Sequence, residues 1–187
     1  MDQINCDQIA SSKFAWAYLR KNPGYRVDHR QHAVKGQASM DCGIFPCARQ
    51  TQSDVGAEKW GLLHYADPTE GAAPFWHPDM SRITVAAEVL DTKTGSGAPA
   101  FIPMLRKANA EVRGLRLLDG RLCLNITSDE LSTQMMFPTE TALDENSLIQ
   151  LILPFDLDFQ VQTRNAIALW DILNGKAKKT SVYAPIP

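Results

Sequence analysis

The chain has 187 residues, with 44% hydrophobic and 21% charged side chains and a formal net charge of −2. This is ordinary globular composition, which excludes collagen, fibrous coiled coil and global disorder, and the length suffices to bury roughly 70% of the unfolded surface in one domain without metal or disulfide support. The near-neutral charge gives no whole-molecule attraction to nucleic acid, so any attraction must be local. The apolar runs are short, as in Leu151-Ile152-Leu153, and the start, Met1-Asp2-Gln3-Ile4-Asn5, lacks a basic region followed by an apolar core. Neither a bilayer span nor a secretory signal is expected, and Cys6, Cys42, Cys47 and Cys123 are read as reduced thiols of a bacterial cytoplasmic protein.

The first element in chain order is a helix from about Lys13, capped by Ser11 or Ser12, with Phe14, Tyr18 and Leu19 at helical spacing and Trp16 beside them. Asn22-Pro23-Gly24 stops it, Gly24 tolerating positive φ, and a second short helix runs from Tyr25 to about Val34. Residues 36–53 read as a loop, followed by a third short helix from Asp54 to about Trp60. A second irregular stretch, 66–80, contains Phe75-Trp76, read as a clasp pinning the loop to the core, with a ligand platform as the alternative.

Strands begin with the β-branched run Ile83 to Leu90. Asp119-Gly120 predicts a two-residue hairpin in which Leu117 faces Leu122 and Leu115 faces Leu124, leaving Arg116 and Cys123 on the other face. Further strands are expected over Thr133–Phe137 and Leu148–Leu153. Asp156 caps a helix over roughly Leu157–Asn174, ended by Gly175, whose stripe is Leu157, Val161, Ala168, Leu169, Ile172 and Leu173. The tail after Lys176 is expected to be extended. The fold class is therefore α+β: a small N-terminal helical unit, then an antiparallel β-sheet packed against a long C-terminal helix. The expected division is 1–65 helical, 66–81 an aromatic linker loop and 82–187 sheet plus helix.

Chemistry-bearing constellations are sparse. His29, His32, Cys42 and Cys47 supply four zinc-type ligands, but in an unusual order; surface histidines and loop thiols are the plainer reading, and no metal or other cofactor is expected. Thr94-Gly95-Ser96-Gly97 lacks the lysine and helix start of a phosphate loop. His64 and His77, near Asp67 and Asp79, allow a His–Asp dyad, though structural or solvated histidines account for them. The acidic segment of Asp129, Glu130, Glu140, Asp144 and Glu145 reads as a solvated face. No motif supports an enzyme. Charge placement says more: Lys13, Arg20, Lys21, Arg26, Arg30 and Lys35 occur with one acid, Asp28, and with Trp16, Tyr18 and Tyr25 interleaved. Such a pattern fits a phosphate-contacting surface, with Arg20, Lys21, Arg26 and Arg30 as candidates; the alternative is a solvated helix whose aromatics point inward.

Phe14-Ala15-Trp16-Ala17-Tyr18-Leu19-Arg20-Lys21-Asn22-Pro23-Gly24-Tyr25-Arg26 resembles the opening motif of the bacterial transcriptional regulator-like domain. Trp60-Gly61-Leu62 and Phe75-Trp76-His77-Pro78-Asp79 are similar to its later landmarks. The Asp119-Gly120 hairpin, the strand into Pro154 and the stretch from Ala168 to Lys176 resemble the sheet and long helix of RovC-like regulators. The resemblance implies a DNA-associated regulator in a family linked to type VI secretion control and mobile elements. In that family a helix-turn-helix-like segment follows the Pro-containing linker; no such pattern occurs in residues 176–187, and no DNA-contacting residue is carried over from it. The expected partners are DNA, contacted directly or through a partner regulator, and other chains in a homo- or hetero-oligomer, with no membrane and no small-molecule ligand. The alternative is an interaction module without DNA affinity: an antagonist, or a split half whose DNA-binding segment comes from another chain or reading frame.

Overall fold

The computed structural model describes residues 15–33, 38–41, 43–78, 84–90, 99–128, 131–153 and 159–174. The cap residues Ser11, Ser12 and Asp156, the basic residues Lys13 and Lys35, Cys6, Cys42, Thr94 to Gly97, Asp79, Asp129, Glu130, Gly175 and the tail lie outside them.

The described helices are α1 (15–19), α2 (Pro23–His32), α3 (Val55–Glu58), α4 (Phe101–Lys107) and α5 (Phe159–Leu173). The described strands are β1 (Ala38–Asp41), β2 (Pro46–Arg49), β3 (Thr84–Leu90), β4 (Glu111–Arg116), β5 (Leu122–Ser128), β6 (Leu131–Phe137) and β7 (Leu148–Ile152). They form one seven-stranded sheet in the order β1-β2-β4-β5-β6-β3-β7. The architecture is mixed α+β.

The expectation of an antiparallel sheet is corrected: β2 runs parallel to β4, and β3 parallel to β6. The chain between the two members of each pair is long enough to cross over, which parallel neighbours require. The expected loop over 36–53 contains the β1–β2 hairpin, whose β2 lies directly beside β4. Gly114 makes this neighbour possible, because a Cβ there would stand 2.8 Å from the Phe45 ring and 2.9 Å from Cys47 Sγ.

Asn22-Pro23 does more than stop α1. The Asn22 side chain accepts a hydrogen bond from Gly24 N at 2.8 Å, and Pro23 occupies the first helical position, where no amide bond is lost. The second helix thus starts earlier than Tyr25, and Gly24 is helical instead of taking positive φ. Helix α4 has no counterpart among the expected elements. Its Pro103 sits in the first turn, where amides lack intrahelical acceptors anyway.

The Asp119-Gly120 hairpin forms, but its register differs by one residue: Leu115 faces Cys123 and Arg116 faces Leu122. Gly120 adopts φ +87° and its N–H bonds Leu117 O at 3.1 Å, while Leu117 N bonds Arg121 O at 2.9 Å. This is the three-residue loop ending in a left-handed glycine, one residue longer than a two-residue turn. A one-residue slip exchanges the faces. Leu122, Leu124 and Ile126 pack with Met135, Phe137, α4 and α5, whereas Leu115, Leu117 and Cys123 pack on the other side with Phe75 and Met136. Both faces of the central strands are buried. From α5, Ala168, Leu169 and Ile172 enter the core, as the apolar stripe requires, and Trp170 is exposed.

A separate core holds the N-terminal helices: Trp16, Tyr25, Ala57, Leu62, Tyr65 and Trp76. Asp54 is buried at the start of α3, where its carboxylate accepts from Tyr65 N at 2.9 Å. The Phe75-Trp76 stretch joins this core to the sheet. The side chain of Gln134 on β6 accepts from Trp76 N and donates to Trp76 O, both at 2.8 Å, and the same amide nitrogen donates to Thr84 Oγ1 at 2.7 Å. Asn125 donates to Ala73 O and Pro74 O, and Arg113 donates to Ala73 O with its guanidinium over the Phe75 ring. Phe75 and Trp76 are buried, so they act as the expected clasp.

Candidate nucleic-acid interface

Helix α2 is two-sided. Inward, Tyr25 is fully buried, its ring edge-on to Trp16 and Trp60 at 5.8 and 5.6 Å. Its hydroxyl donates to Ala66 O at 2.6 Å and accepts from Ala66 N at 3.0 Å, so both polar groups of that residue are satisfied. Burial pushes the phenol well above its ordinary pKa. Asp28 points the same way: it accepts from Trp60 Nε1 at 2.8 Å and Tyr65 Oη at 3.3 Å and pairs with Lys59. The Lys59 and Trp60 hydrogen bonds hold its carboxyl below the usual aspartate range.

Outward, α2 carries Arg26, Val27 and Arg30, all exposed. Arg26 and Arg30 stand one helical turn apart on the same face, and Arg30 Nε donates to Arg26 O at 3.3 Å. Together with Lys21 they line an open depression of about 560 Å³ between α2 and the Asp67-Pro68-Thr69 turn. A second, larger groove of about 1220 Å³ shares His29, Arg30 and Asp67 with it and runs past the β1–β2 hairpin to Arg113. Basic side chains at the C-terminal turn of α2, His29, Arg30 and His32, also complement the helix dipole, which gives them a structural role in any case.

Three of the four basic candidates therefore come together: Lys21, Arg26 and Arg30. Arg20 does not join them. It lines a small cleft of about 320 Å³ with Trp16, Glu111 and Arg113, and its Nη1 donates to Glu70 O at 3.3 Å. Arg20 and Lys21, though adjacent in the chain, thus line different depressions. The depression is not purely cationic, for Asp67 stands on its rim. Hydrogen bonds from Thr69 Oγ1 at 2.6 Å and Thr69 N at 2.7 Å hold the Asp67 carboxyl below its ordinary pKa, so it stays ionised.

The interleaved aromatics resolve in favour of the packing alternative. Trp16 and Tyr25 are core residues, while Tyr18 is 79% exposed. They give no row of stacking platforms, although Tyr18 is available at the surface.

Arg113 also belongs to the neighbourhood of the larger groove, and sequence reasoning did not find it. Its signal is only an arginine within the strand that faces the Phe75 clasp. His64 lines the same groove and packs at a tilt against Phe75, with ring centroids 5.7 Å apart. Burial and the Arg113 charge push its pKa down to about 4, which keeps it neutral at physiological pH. Asp67 is turned toward Thr69, and Asp79 is outside the described residues, so no His64–Asp dyad is assembled among the described residues. Of the zinc-type ligands, Cys47 is buried against the sheet and Cys42 is outside the described residues. No three metal-binding side chains cluster among the described residues, and no described helix is long and apolar enough to cross a membrane.

Residues 2–64 match the proteobacterial transcriptional regulator-like domain. The matched segment contains α1, α2, α3 and the β1–β2 hairpin, hence Lys21, Arg26 and Arg30, while Tyr65 and Trp76 of the helical core and the Asp67-Pro68-Thr69 wall of the depression fall outside the match. No curated protein matches the chain.

Proposed function

We propose that this chain is a DNA-associated transcriptional regulator of the RovC-like kind. On this reading it is a cytoplasmic protein without enzymatic activity that works through oligomerisation or a partner chain. The observation that carries the reading is a coincidence of place. The segment matching a transcriptional regulator-like domain is the one that presents Lys21, Arg26 and Arg30 on one exposed surface. Three cations around an open depression suit successive phosphates of a nucleic-acid backbone, and such contacts position a protein on DNA without reading its sequence. Sequence readout would then come from a partner chain or from further copies.

A second reading, an interaction module without DNA affinity, is favoured by the ionised Asp67 on the rim and by the net charge of −2. Titration of a fluorescent generic duplex at several salt concentrations separates the two. A regulator that contacts phosphates loses affinity steadily as salt rises. Absence of binding at low salt and micromolar protein would end the DNA reading in favour of the module.

A further inference from the structure

We propose that the outer edge of β7 is a self-association edge, at which a second copy of this chain pairs antiparallel and continues the sheet. This rests on the oligomer reading above and names its surface. Among the described residues β7 is the last strand of the sheet and pairs only with β3. No backbone hydrogen bond joins its outer edge to any described residue.

An edge strand is a template for pairing unless a charge, a proline, a bulge or a short length blunts it. Leu148-Ile149-Gln150-Leu151-Ile152 has none of the first three and is five residues long. The opposite edge, β1, is four residues long and ends in Asp41. The two edges thus differ in the features that oppose pairing.

The occupant follows from the pattern. Apolar, apolar, polar, apolar, apolar reads the same in both directions. Antiparallel pairing about a two-fold axis through Gln150 sets Leu148 against Ile152, Ile149 against Leu151, and Gln150 against its own copy. A neutral strand brings no like charges together in this register, and a two-fold interface has to be self-complementary. The faces agree as well. Ile149 and Leu151 are half-buried on the core side with Ala87 and Val89, and a second copy would extend that apolar layer. On the other side Gln150 is exposed and donates to Glu88 Oε2 at 3.3 Å, while Ile152 is 38% exposed. The resulting dimer would carry two basic depressions related by a two-fold axis, the symmetry of two DNA half-sites.

The test uses the full chain. Light scattering after size exclusion is expected to show a dimer whose dissociation constant rises by about tenfold or more in Ile152→Lys, with thermal melts confirming that the variant folds. Gln150→Cys, in a Cys6→Ser/Cys42→Ser background, is expected to form an intermolecular disulfide under mild oxidation, because the two-fold axis passes through that position. A monomer at every concentration overturns the proposal. So does a dimer that Ile152→Lys leaves intact, or one that Gln150→Cys fails to cross-link; each would place association elsewhere on the chain. A monomer that still binds duplex DNA would sink the edge alone, and a cross-linked dimer without DNA affinity would sink the DNA reading alone.

Discussion

Tyr25 shows how one side chain can carry both a motif and a fold. It stands in the stretch that resembles the regulator-like opening motif, yet it touches no solvent: its ring fills the helical core and its hydroxyl serves both polar groups of Ala66. Tyr25→Phe leaves those groups unpaired in a buried place, so a loss of about 1–3 kcal/mol in unfolding free energy is expected from denaturant melts. The same variant should leave DNA affinity unchanged when measured on folded protein, since Tyr25 faces away from Lys21, Arg26 and Arg30. His64 gives the pH dependence. Its folded pKa of about 4 lies below the ordinary histidine value. The unfolded chain therefore binds the proton more readily, and stability is full above the unfolded pKa and falls as the pH drops from there toward the folded one. Thermal melts across that window should show the decline in the wild type and a flatter profile in His64→Phe. Equal slopes would remove His64 as the cause.

At the scale of elements, the hairpin shows what the sequence could and could not convey. Asp119-Gly120 marked the turn correctly, because a glycine able to take positive φ is needed in both the short and the bulged loop. It could not choose between them, and the one-residue difference moves Cys123 to the face of Leu115 and Leu117. The β1–β2 hairpin was illegible for another reason. Its strands are four residues each, and β2 is held by pairing with β4, a partner more than sixty residues away. Local pattern carries no record of such a partner. Helix α4 was hidden by Pro103, which reads as a breaker but sits in the turn that tolerates it. The clasp was legible as two large aromatics in an irregular stretch, whereas its lock, Gln134, gave no signal beyond a polar residue in a strand. Gln134→Leu leaves the Trp76 backbone groups buried and unpaired, at a cost of about 1–3 kcal/mol. Hydrogen exchange should then accelerate first at Trp76, whose amide bonds Gln134, and at Leu63 and His77, whose amides close the bridge between the helical core and the clasp through Phe75 O and Gly61 O. Uniform acceleration across the sheet would contradict a local role.

For the whole molecule, the helical core and the sheet are joined through the clasp and through β2, so the segment matching the regulator-like domain contributes strands to the common sheet. The candidate interface was legible as a local excess of cations over a near-neutral chain. The spacing of Arg26 and Arg30 along one helix face placed them together, and the turn at Asn22-Pro23 brought Lys21 beside them. Its chain neighbour Arg20 lines a different cleft, which no composition count could show. The central claim is that Lys21, Arg26 and Arg30 form one phosphate-contacting surface and Arg20 lies outside it. Fluorescence anisotropy of a generic duplex, read as the slope of log affinity against log salt, tests it most directly. Relative to the wild type, Lys21→Ala/Arg26→Ala/Arg30→Ala should flatten that slope by about 3 and weaken binding at low salt, while Arg20→Ala should leave both near the wild-type values. An unchanged slope in the triple variant, or an equal loss from Arg20→Ala alone, would contradict it.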